Sequence, residues 1–200
     1  MKLILASQNA NKLREFRAMF APLGVTLLSQ SDAGLSLDVE ETGSTFEANA
    51  RLKAEAVLRA TGIAAIADDS GLAVDSLGGA PGVYSHRYGN QPDDAARCRY
   101  LLEQMRDIPE ELRTAKFVSA IICLFPDGQE ITARGECSGI ILREMRGENG
   151  FGYDPVFFVP EYGKTFAELT MTEKNEISHR GRALRAFYTQ LEERLKNDDQ

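Results

Sequence analysis

The sequence predicts an α/β fold, because strand-length apolar runs are followed by patterns typical of helices. Residues 1–6 and 63–67 are two such runs, and the second contains no polar side chain. A run of that kind fits a strand covered on both faces, as in the sheets of α/β proteins. After the first run, apolar side chains recur at helical spacing, at Leu13, Phe16, Met19 and Phe20.

Length, charge and cysteine content exclude several classes of protein. Two hundred residues fit one large domain, or one domain with a small lobe. The formal charge of -7 argues against a nucleic-acid binder, because phosphate backbones are held by net basic surfaces. Three widely spaced cysteines indicate reduced core thiols in a cytoplasmic protein, not disulfides or a zinc site. No apolar run approaches membrane-spanning length, so we expect no membrane partner. From the charge, we expect no nucleic-acid partner either.

The first third of the chain is predicted to alternate strands and helices. The first helix ends near Gly24, and a strand follows at 25–29. Residues 44–47 form a capping-box pattern, which opens a second helix that runs to about Ala60. The strand at 63–67 comes next.

The rest of the chain continues this mixture of elements. The patterns predict a helix, a β-hairpin, a further strand, two capped helical turns and a final amphipathic helix, at 93–106, 117–137, 139–143, 165–173 and 183–195. No internal repeat or linker divides the sequence. We therefore expect a single domain over residues 1–200, with a possible smaller lobe at about 85–143 hinged on glycine-rich loops.

The strand at 63–67 ends in adjacent carboxylates. Asp68, Asp69, Ser70 and Gly71 follow the apolar run directly. Side chains at the end of a rigid strand are held more firmly than side chains on a free loop, and α/β proteins usually place their chemistry there. The alternative is an ordinary Asp/Ser/Gly turn at a strand end, which this stretch alone favours.

A polar turn separates the first strand from the first helix. Its residues are Ser7, Gln8, Asn9, Ala10, Asn11 and Lys12. Free backbone N–H groups at the positive end of the helix, with the ammonium of Lys12, suit an anion such as phosphate. Ser and Asn are also the favoured N-caps of any helix, so a purely structural cap is the alternative.

Acidic residues precede the second helix. Glu40 and Glu41 lie in the approach to its N-terminus, where they can also simply complement the helix dipole. Asn49 and Lys53 are four residues apart on this helix, so they can point together at whatever Glu40 faces. The alternative for this pair is a solvated helix face.

Two further stretches in the last third combine aromatic, acidic and basic side chains. The first contains Phe151, Gly152, Tyr153 and Asp154, and the second contains Lys174, His179 and Arg180. Exposed aromatics beside a flexible glycine can stack on a planar base. A Phe and a Tyr this close more often anchor a loop on the core, and the basic stretch resembles a frayed polar helix start.

Six blocks of the sequence, in order, form a specific set. They are SxNxxK at 7–12, EETG at 40–43, ADDSGL at 67–72, GGxPG at 78–82, FGYDP at 151–155 and EKNxISHRxxAL at 173–184. Together they resemble the inosine triphosphate pyrophosphatase (RdgB/HAM1) family, whose members hydrolyse non-standard purine nucleoside triphosphates. One departure is Ser7-Gln8, where many members have Thr-Gly; since glycine lets backbone approach phosphate closely, Gln8 alters this turn.

The resemblance implies a fold, a metal and site residues. The implied fold is α/β, a long curved mixed sheet with flanking helices and two lobes around a central cleft, and members are commonly homodimers. Glu40 and Asp69 are implied to coordinate Mg2+, with Asp69 also accepting the proton of the attacking water. Contacts with the triphosphate are implied for Ser7, Asn9, Lys12, Lys53 and Ser70, together with the neighbours Gln8, Ala10 and Asn11. Contacts with the nucleotide are implied for Phe151, Gly152, Tyr153, Asp154, Lys174, His179 and Arg180.

The chemistry of these residue types fits such a reaction independently. Mg2+ prefers oxygen ligands and keeps several waters, so a few carboxylates plus substrate phosphates suffice. The metal and the basic side chains can offset the roughly four negative charges of a nucleoside triphosphate. The cysteines lie outside the six blocks, so no covalent nucleophile is needed. We expect ITP, dITP or XTP to be hydrolysed to the monophosphate and pyrophosphate.

The sequence leaves two other functions open. One is a pyrophosphatase for other modified nucleotides. The other is a non-catalytic nucleotide-sensing protein, against which the intact carboxylates argue, since a binder of polyanions gains little from them unless they hold metal. Whether Asp68 or Asp69 is the general base is also open at this point.

Overall fold

The computed structural model describes residues 1–198 of the chain. The strands are β1 (Lys2–Leu5), β2 (Thr26–Ser29), β3 (Ala65–Val74), β4 (Thr114–Leu124), β5 (Glu130–Ile141), β6 (Phe157–Val159) and β7 (Lys164–Thr165). The α-helices are α1 (Ala10–Phe20), α2 (Phe46–Thr61), α3 (Asp94–Gln104), α4 (Met171–Ile177) and α5 (His179–Asp198).

The strands form one mixed sheet in the order β2-β1-β3-β4-β5-β6-β7. β1 is parallel to both of its neighbours, with Ile4 opposite Leu28 in β2 and opposite Ala65 in β3. β6 is antiparallel to both β5 and β7. The α/β prediction, with a mixed sheet and flanking helices, is therefore confirmed.

Most helix starts follow from the capping patterns in the sequence. Both predicted capping boxes in the last third are formed, at Thr165 and at Thr170. At the start of α2 the cap lies one residue later than the pattern predicts, because the Thr45 side chain, not Ser44, accepts a hydrogen bond from the Ala48 N–H. The hydroxyl that faces the first unpaired N–H groups is the one that caps.

Two predicted strand ends are wrong. The apolar run at 63–67 does not stop in a turn, since β3 continues through the carboxylates to Val74. Leu72 and Val74 are fully buried, and a turn at Asp68 would leave those apolar side chains without their place in the core. Similarly, residues 139–141 continue β5 and do not begin a new strand.

The chain is divided into two compact units. The first comprises Met1–Asp69, Ser119–Gly135 and the residues from Ala183 onward, and the second comprises Ser70–Val118 and Glu136–Arg182. Asp69 and Ser70 are consecutive in β3 but belong to different units. A smaller lobe at about 85–143 remains a proposal.

Apolar side chains cover both faces of the sheet in the first unit. One cluster contains Leu5 and Ile66 together with side chains of α1 and α5. The other contains Ile4 and Ala67 together with side chains of α2. Since successive side chains of a strand point to opposite faces, even-numbered positions of β3 in this unit face α1 and odd-numbered positions face α2.

Aromatic rings fill the core of the second unit. Phe117 contacts both Phe157 and Phe166, with ring centroids 4.6 and 5.5 Å apart respectively. The buried side chains Cys98 and Leu101 of α3 belong to the same cluster. This core supports the segments that carry the predicted base-binding residues.

Arg113 is a buried cation that is held by backbone carbonyls. Its guanidinium donates to four backbone carbonyls, those of Met105 (2.6 Å), Ile108 (3.4 Å), Ile141 (2.7 Å) and Leu142 (2.8 Å). Burial and the neighbouring Arg143 lower the pKa of Arg113. The side chain thus ties the end of α3 to the end of β5.

The three cysteines are free thiols buried in the core, as the sequence predicts. Burial raises the pKa of Cys98 to about 12 and that of Cys137 to about 11. Thiols with such pKa values are poor nucleophiles at neutral pH.

Among the described residues, no helix has the length and apolar character needed to cross a membrane.

Arg113→Met should destabilise the second unit strongly. The substitution keeps an apolar stem but removes the charged donor from four carbonyls, of which those of Met105 and Ile108 keep a second donor. We expect a loss of about 3 kcal/mol or more in the free energy of unfolding. Arg99→Met, at an exposed position of α3, should change stability by no more than about 0.5 kcal/mol. Urea denaturation of both variants measures the difference, and equal small losses would contradict the role given to Arg113.

Candidate active site

The two adjacent carboxylates of β3 are buried and point to different helices. Asp68 is 1% exposed and Asp69 is 7% exposed. Asp68 occupies an even position and meets Lys12 of α1, whereas Asp69 occupies an odd position and meets Asn49 and Lys53 of α2. Alternation along the strand therefore gives the two acids different partners.

Asp68 holds the ammonium of Lys12 from two sides. Lys12 Nζ lies 3.0 Å from Asp68 Oδ2 and donates to the Asp68 backbone oxygen at 3.4 Å. The Asp68 side chain is fully buried and the Lys12 side chain is 14% exposed. A lysine held in this way has lost much of its side-chain freedom, so its charge is fixed in space.

Asn9 is the N-cap of α1, so the structural alternative for the polar turn is realised at this residue. Its side chain accepts hydrogen bonds from the N–H groups of Asn11 (2.9 Å) and Lys12 (3.3 Å). Ser7 Oγ accepts from the Asn9 N–H at 3.2 Å. The Gln8 side chain donates to the Leu37 carbonyl at 3.2 Å. Phosphate contacts by this turn remain a proposal.

Asn49 links the carboxylate of Asp69 to the loop before α2. Its side chain is fully buried; Oδ1 accepts the Gly43 N–H at 2.8 Å and Nδ2 donates to Asp69 Oδ2 at 3.1 Å. The orientation of the amide is determined, because a backbone N–H can only donate and must face the oxygen. Asn49 therefore keeps Asp69 Oδ2 in the role of acceptor. A solvated helix face is excluded at this position.

Lys53 lies between two carboxylates. Its Nζ is 2.8 Å from Glu41 Oε1 and 3.4 Å from Asp69 Oδ1. Burial disfavours the charge of Lys53, but three surrounding carboxylates, led by Asp69, outweigh burial and raise its pKa. Burial, which outweighs the neighbouring lysines, raises the pKa of Asp69. The cluster thus contains a fixed cation and a carboxylate with increased proton affinity.

Glu41 joins this cluster, and Glu40 does not. Glu40 is exposed, and within residues 1–198 its carboxylate makes no hydrogen bond or ion pair. Its backbone oxygen accepts the Thr42 N–H at 3.1 Å. The sequence pattern points to both glutamates but cannot distinguish them, since the irregular segment has no periodicity to indicate which side chain turns inward. Metal coordination by Glu40 stays a prediction.

Glu41 and Asp69 of the first unit offer carboxylate oxygens, which are the ligand atoms that Mg2+ prefers. Its ligands would be carboxylate oxygens, and the ammonium of Lys53 already shows that Glu41 and Asp69 can share one positive charge. Within the described residues, no group of three or more His, Cys, Asp or Glu side chains is arranged around a common point. Mg2+ needs only one or two protein carboxylates when substrate phosphates and waters complete its octahedron, so the residues present fit this metal.

In the second unit, β3 continues with Ser70, which contacts α5. Arg180 Nη2 donates to Ser70 Oγ at 3.1 Å, and Arg180 is 4% exposed. Two residues further, the Leu72 N–H donates to the buried hydroxyl of Ser85 at 2.9 Å. The structure therefore brings together Ser70 and Arg180, which are 110 residues apart in the sequence.

The segment 151–154, here called the aromatic loop, is anchored by Tyr153. This side chain is 3% exposed, and its hydroxyl donates to the Ser85 carbonyl at 2.7 Å. Asp154 Oδ2 accepts the Phe151 N–H at 2.9 Å and closes the loop on itself. The anchoring alternative is thus realised for Tyr153, while Phe151 is only half-buried.

Lys174 forms a buried ion pair with Asp154. Its Nζ lies 2.6 Å from Asp154 Oδ2, and the two side chains are 9% and 4% exposed. Burial raises the pKa of Asp154, although Lys174 opposes this shift. The ring of Phe151 has Lys174 Nζ 4.8 Å and the Arg180 guanidinium 5.6 Å from its centroid. Both cations lie within the distance of about 6 Å at which cation–π attraction is significant.

His179 stacks on aromatic rings at the start of α5. Its ring is 4.7 Å from Phe117 with an interplanar angle of 12°, and 6.3 Å from Phe166 with an angle of 9°. The side chain is 6% exposed. The stack holds the imidazole at a defined orientation, which a frayed helix start would not do.

Several residues that contact the aromatic loop or His179 were not predicted from the sequence. Ser85 and Asp94 contact the aromatic loop, and Phe117 contacts His179. Their positions are visible in the sequence as a turn residue, a helix start and a strand residue, but their partners are 58 to 68 residues away in the chain. Only the GGxPG block hinted that the loop containing Ser85 has a role.

This chain is similar to known proteins over nearly its whole length. A model of the Ham1 family matches residues 3–190. A dITP/XTP pyrophosphatase of Thermus thermophilus is 53% identical over 187 residues, which cover 94% of this chain and 90% of the relative. One from Lactiplantibacillus plantarum is 49% identical over 191 residues, covering 96% and 95%. The solved structure of a HAM1 protein from Coxiella burnetii matches with a TM-score of 0.90 at 42% identity, covering 96% of this chain and 99% of that one.

Lys174→Met should destabilise the protein in a pH-dependent way. It leaves the buried Asp154 carboxylate without its counter-charge, and we expect a loss of about 3 to 5 kcal/mol at pH 7. The pKa of Asp154, already raised above 3.8 by burial, would rise further. A raised carboxyl pKa contributes most to stability below pH 3.8 and least above the folded-state pKa, so the loss should shrink as the pH falls toward 4.

Lys164→Met is the matched control for this experiment. Lys164 pairs with Glu173 at 2.8 Å, but both side chains are at least 33% exposed, so little stability should be lost at any pH. Urea denaturation at pH 4 and pH 7 compares the variants. The double change Asp154→Asn with Lys174→Met should cost less than the sum of the single changes. A pH-independent loss in Lys174→Met would contradict the pairing.

Proposed function

Because this chain belongs to the Ham1 family, we propose that it hydrolyses non-canonical purine nucleoside triphosphates, namely ITP, dITP and XTP, to the monophosphate and pyrophosphate. The observation that carries the proposal is the group of side chains around Asp69 in the first unit, namely Glu41, Asn49 and Lys53. There, one carboxylate with a raised pKa is held by an amide and an ammonium beside a second carboxylate. Such side chains suit both proton transfer to a carboxylate and the binding of a negatively charged substrate.

Asp69, not Asp68, is the proposed general base. A base must keep one oxygen accessible and have a proton affinity increased toward the working pH. Burial raises the pKa of Asp69, whose side chain is 9% exposed. The side chain of Asp68 is fully buried against Lys12. Asp68 is therefore proposed to position the ammonium of Lys12.

Mg2+ is the proposed metal, held by Asp69 and by one glutamate before α2. The resemblance favours Glu40, and the geometry of the first unit makes Glu41 the alternative. When bound, the ion would neutralise phosphate charge and orient the phosphate oxygens. Lys53 would then move its charge from the carboxylates toward the substrate, because the metal and the ammonium compete for the same oxygens.

The triphosphate is proposed to contact the first unit and Ser70. Lys12 and Lys53 supply two fixed ammonium groups. The turn at 7–12 supplies hydroxyl, amide and backbone donors at the N-terminus of α1. Water is the proposed nucleophile, since the buried thiols have pKa values too high for attack at neutral pH.

The nucleotide is proposed to contact the aromatic loop, Lys174, His179 and Arg180. A donor from His179 or Arg180 to the 6-oxo group accepts hypoxanthine and xanthine but meets the amino group of adenine donor to donor. A buried donor without an acceptor costs about 1 to 3 kcal/mol, which disfavours ATP. Guanine shares the 6-oxo group, so discrimination against GTP must come from contacts at position 2 of the purine ring.

Two further properties are proposed with the activity. The family resemblance supports a homodimer, and the reduced thiols and composition support a cytoplasmic location. A pyrophosphatase for other modified nucleotides and a nucleotide sensor without turnover are the remaining alternatives, and a substrate panel separates them.

Pyrophosphate release from ITP, dITP, XTP, GTP, ATP and dUTP, each with and without Mg2+, tests the proposal. We expect turnover of the first three only, and only with Mg2+. Asp69→Asn should lower kcat by about 10²- to 10⁴-fold because it removes the base. Asp68→Asn, the matched neighbour, should chiefly raise KM by releasing Lys12. Undiminished turnover in Asp69→Asn would remove Asp69 from its role.

Arg180→Ala tests discrimination at the 6-oxo group. Removing the donor should raise kcat/KM for ATP relative to dITP by about tenfold or more, because adenine no longer faces an unpaired donor. The GTP to dITP ratio should change much less. Arg182→Ala, an exposed position of α5 whose guanidinium donates to the Glu136 carbonyl at 2.9 Å, is the control. Equal gains for ATP and GTP would contradict this division.

A further inference from the structure

We propose that Asp94, the first residue of α3, is a positioning residue that sets the conformation of the aromatic loop and thereby the KM for the nucleotide. The proposal rests on the proposed function, in which the aromatic loop contacts the nucleotide. Asp94 lies outside the six sequence blocks, and its role follows from the hydrogen bonds of the second unit.

The carboxylate of Asp94 binds the backbone of Gly152 directly. Asp94 Oδ2 accepts the Gly152 N–H at 2.7 Å, and Oδ1 is bound by the guanidinium of Arg97. Hydrogen bonds to an ionised acceptor are shorter and stronger than those between neutral groups. One turn further along α3, Cys98 Sγ donates to the Gly152 carbonyl at 3.3 Å. Both polar groups of Gly152 are therefore held by one face of α3.

Hydrogen bonds restrain the backbone at Gly152, and the space beside its Cα is open. This residue has φ 63°, a left-handed conformation that glycine adopts readily, and a Cβ placed there would meet no atom within 4 Å. Glycine in open space has many accessible conformations. The other restraints on this turn are the bond from Cys98 and the two bonds between Phe151 and Asp154. Without the bond to Asp94, the Gly152 N–H loses its acceptor and the backbone there is less restrained.

Rotation at Gly152 would displace Phe151 more than the rest of the loop. Tyr153 is anchored by its buried hydroxyl on Ser85, and Asp154 is anchored by Lys174. Phe151 lies on the other side of Gly152; its ring is half-buried, and its N–H is bound by Asp154 Oδ2 at 2.9 Å. Asp94 thus completes a set of three anchors, one from each of three segments, for the loop proposed to receive the base.

Loss of this anchor should weaken binding without changing the chemical step. A loop that must be ordered when the nucleotide binds reduces affinity by the cost of ordering. The base lies at the opposite end of the nucleotide from the scissile anhydride. A change in ground-state and transition-state binding by the same amount raises KM and leaves kcat unchanged.

Asp93 provides a matched control one residue away. It is the N-cap of α3, and its side chain accepts the Ala96 N–H at 2.7 Å. Asp93→Ala therefore weakens the same helix end and removes the same formal charge, but leaves the bond to Gly152 in place. A merely structural effect of Asp94 would be reproduced by Asp93→Ala.

Steady-state kinetics with dITP compare the wild type with Asp94→Ala, Asp94→Asn and Asp93→Ala. We expect Asp94→Ala to raise KM by about tenfold, with kcat within about twofold. Asp94→Asn keeps an acceptor oxygen for Gly152 and should restore KM to within about threefold of wild type. Asp93→Ala should lower the melting temperature and leave KM unchanged. Hydrogen exchange of the Gly152 amide should accelerate in Asp94→Ala and not in Asp93→Ala.

Two results would overturn the proposal. One is a KM for Asp94→Ala within twofold of wild type, even if the Gly152 amide exchanges faster. The other is an equal rise in KM for Asp93→Ala. If the wild type binds dITP without hydrolysing it, the proposed reaction fails, while calorimetric Kd values for the same variants still test Asp94. If the wild type neither binds nor hydrolyses dITP, both proposals fail.

Discussion

The alternation of side chains along β3 is the constraint on which the candidate site depends. Because neighbouring residues of a strand face opposite sides of the sheet, Asp68 and Asp69 cannot share one environment. Each meets the lysine of a different helix, Lys12 of α1 or Lys53 of α2. Two carboxylates that are adjacent in sequence thereby acquire separate tasks. The strand must be rigid and continuous for this, and it is buried on both faces.

Burying these charges is costly, and the structure compensates in each unit separately. In the first unit, two lysines and an amide accompany the carboxylates, and Asn49 has both ends of its amide occupied. In the second unit, Lys174 accompanies Asp154 at 2.6 Å. The pKa values of Asp69 and Asp154 are nevertheless raised, because burial is the largest influence on both. The sites thus retain carboxyl groups with unusual proton affinity, as catalytic and binding sites often do.

The two units restrain their functional segments by different means. Side chains on β3 and α2 are fixed by regular secondary structure, whose geometry leaves few alternatives. The aromatic loop has no regular structure, and a Cβ placed on its glycine would meet no atom within 4 Å. Its conformation depends on hydrogen bonds that it donates to Asp94 of α3 and to the Ser85 carbonyl, and on the one that Asp154 accepts from Lys174. A loop held in this way is sensitive to single substitutions far from it in the sequence.

The sequence by itself determined the α/β class, most helices and their caps, and the residues that carry charge. Local rules suffice there, because capping, periodicity and turn chemistry act over a few residues. They failed at Asp68, where a turn pattern is overridden by a strand that buries Leu72 and Val74, and they missed the short strands β6 and β7. Only the tertiary structure decided that Glu41 and not Glu40 meets Lys53, and that Asp94 holds the aromatic loop. Such pairings depend on which distant segments pack together, and no local pattern contains that information.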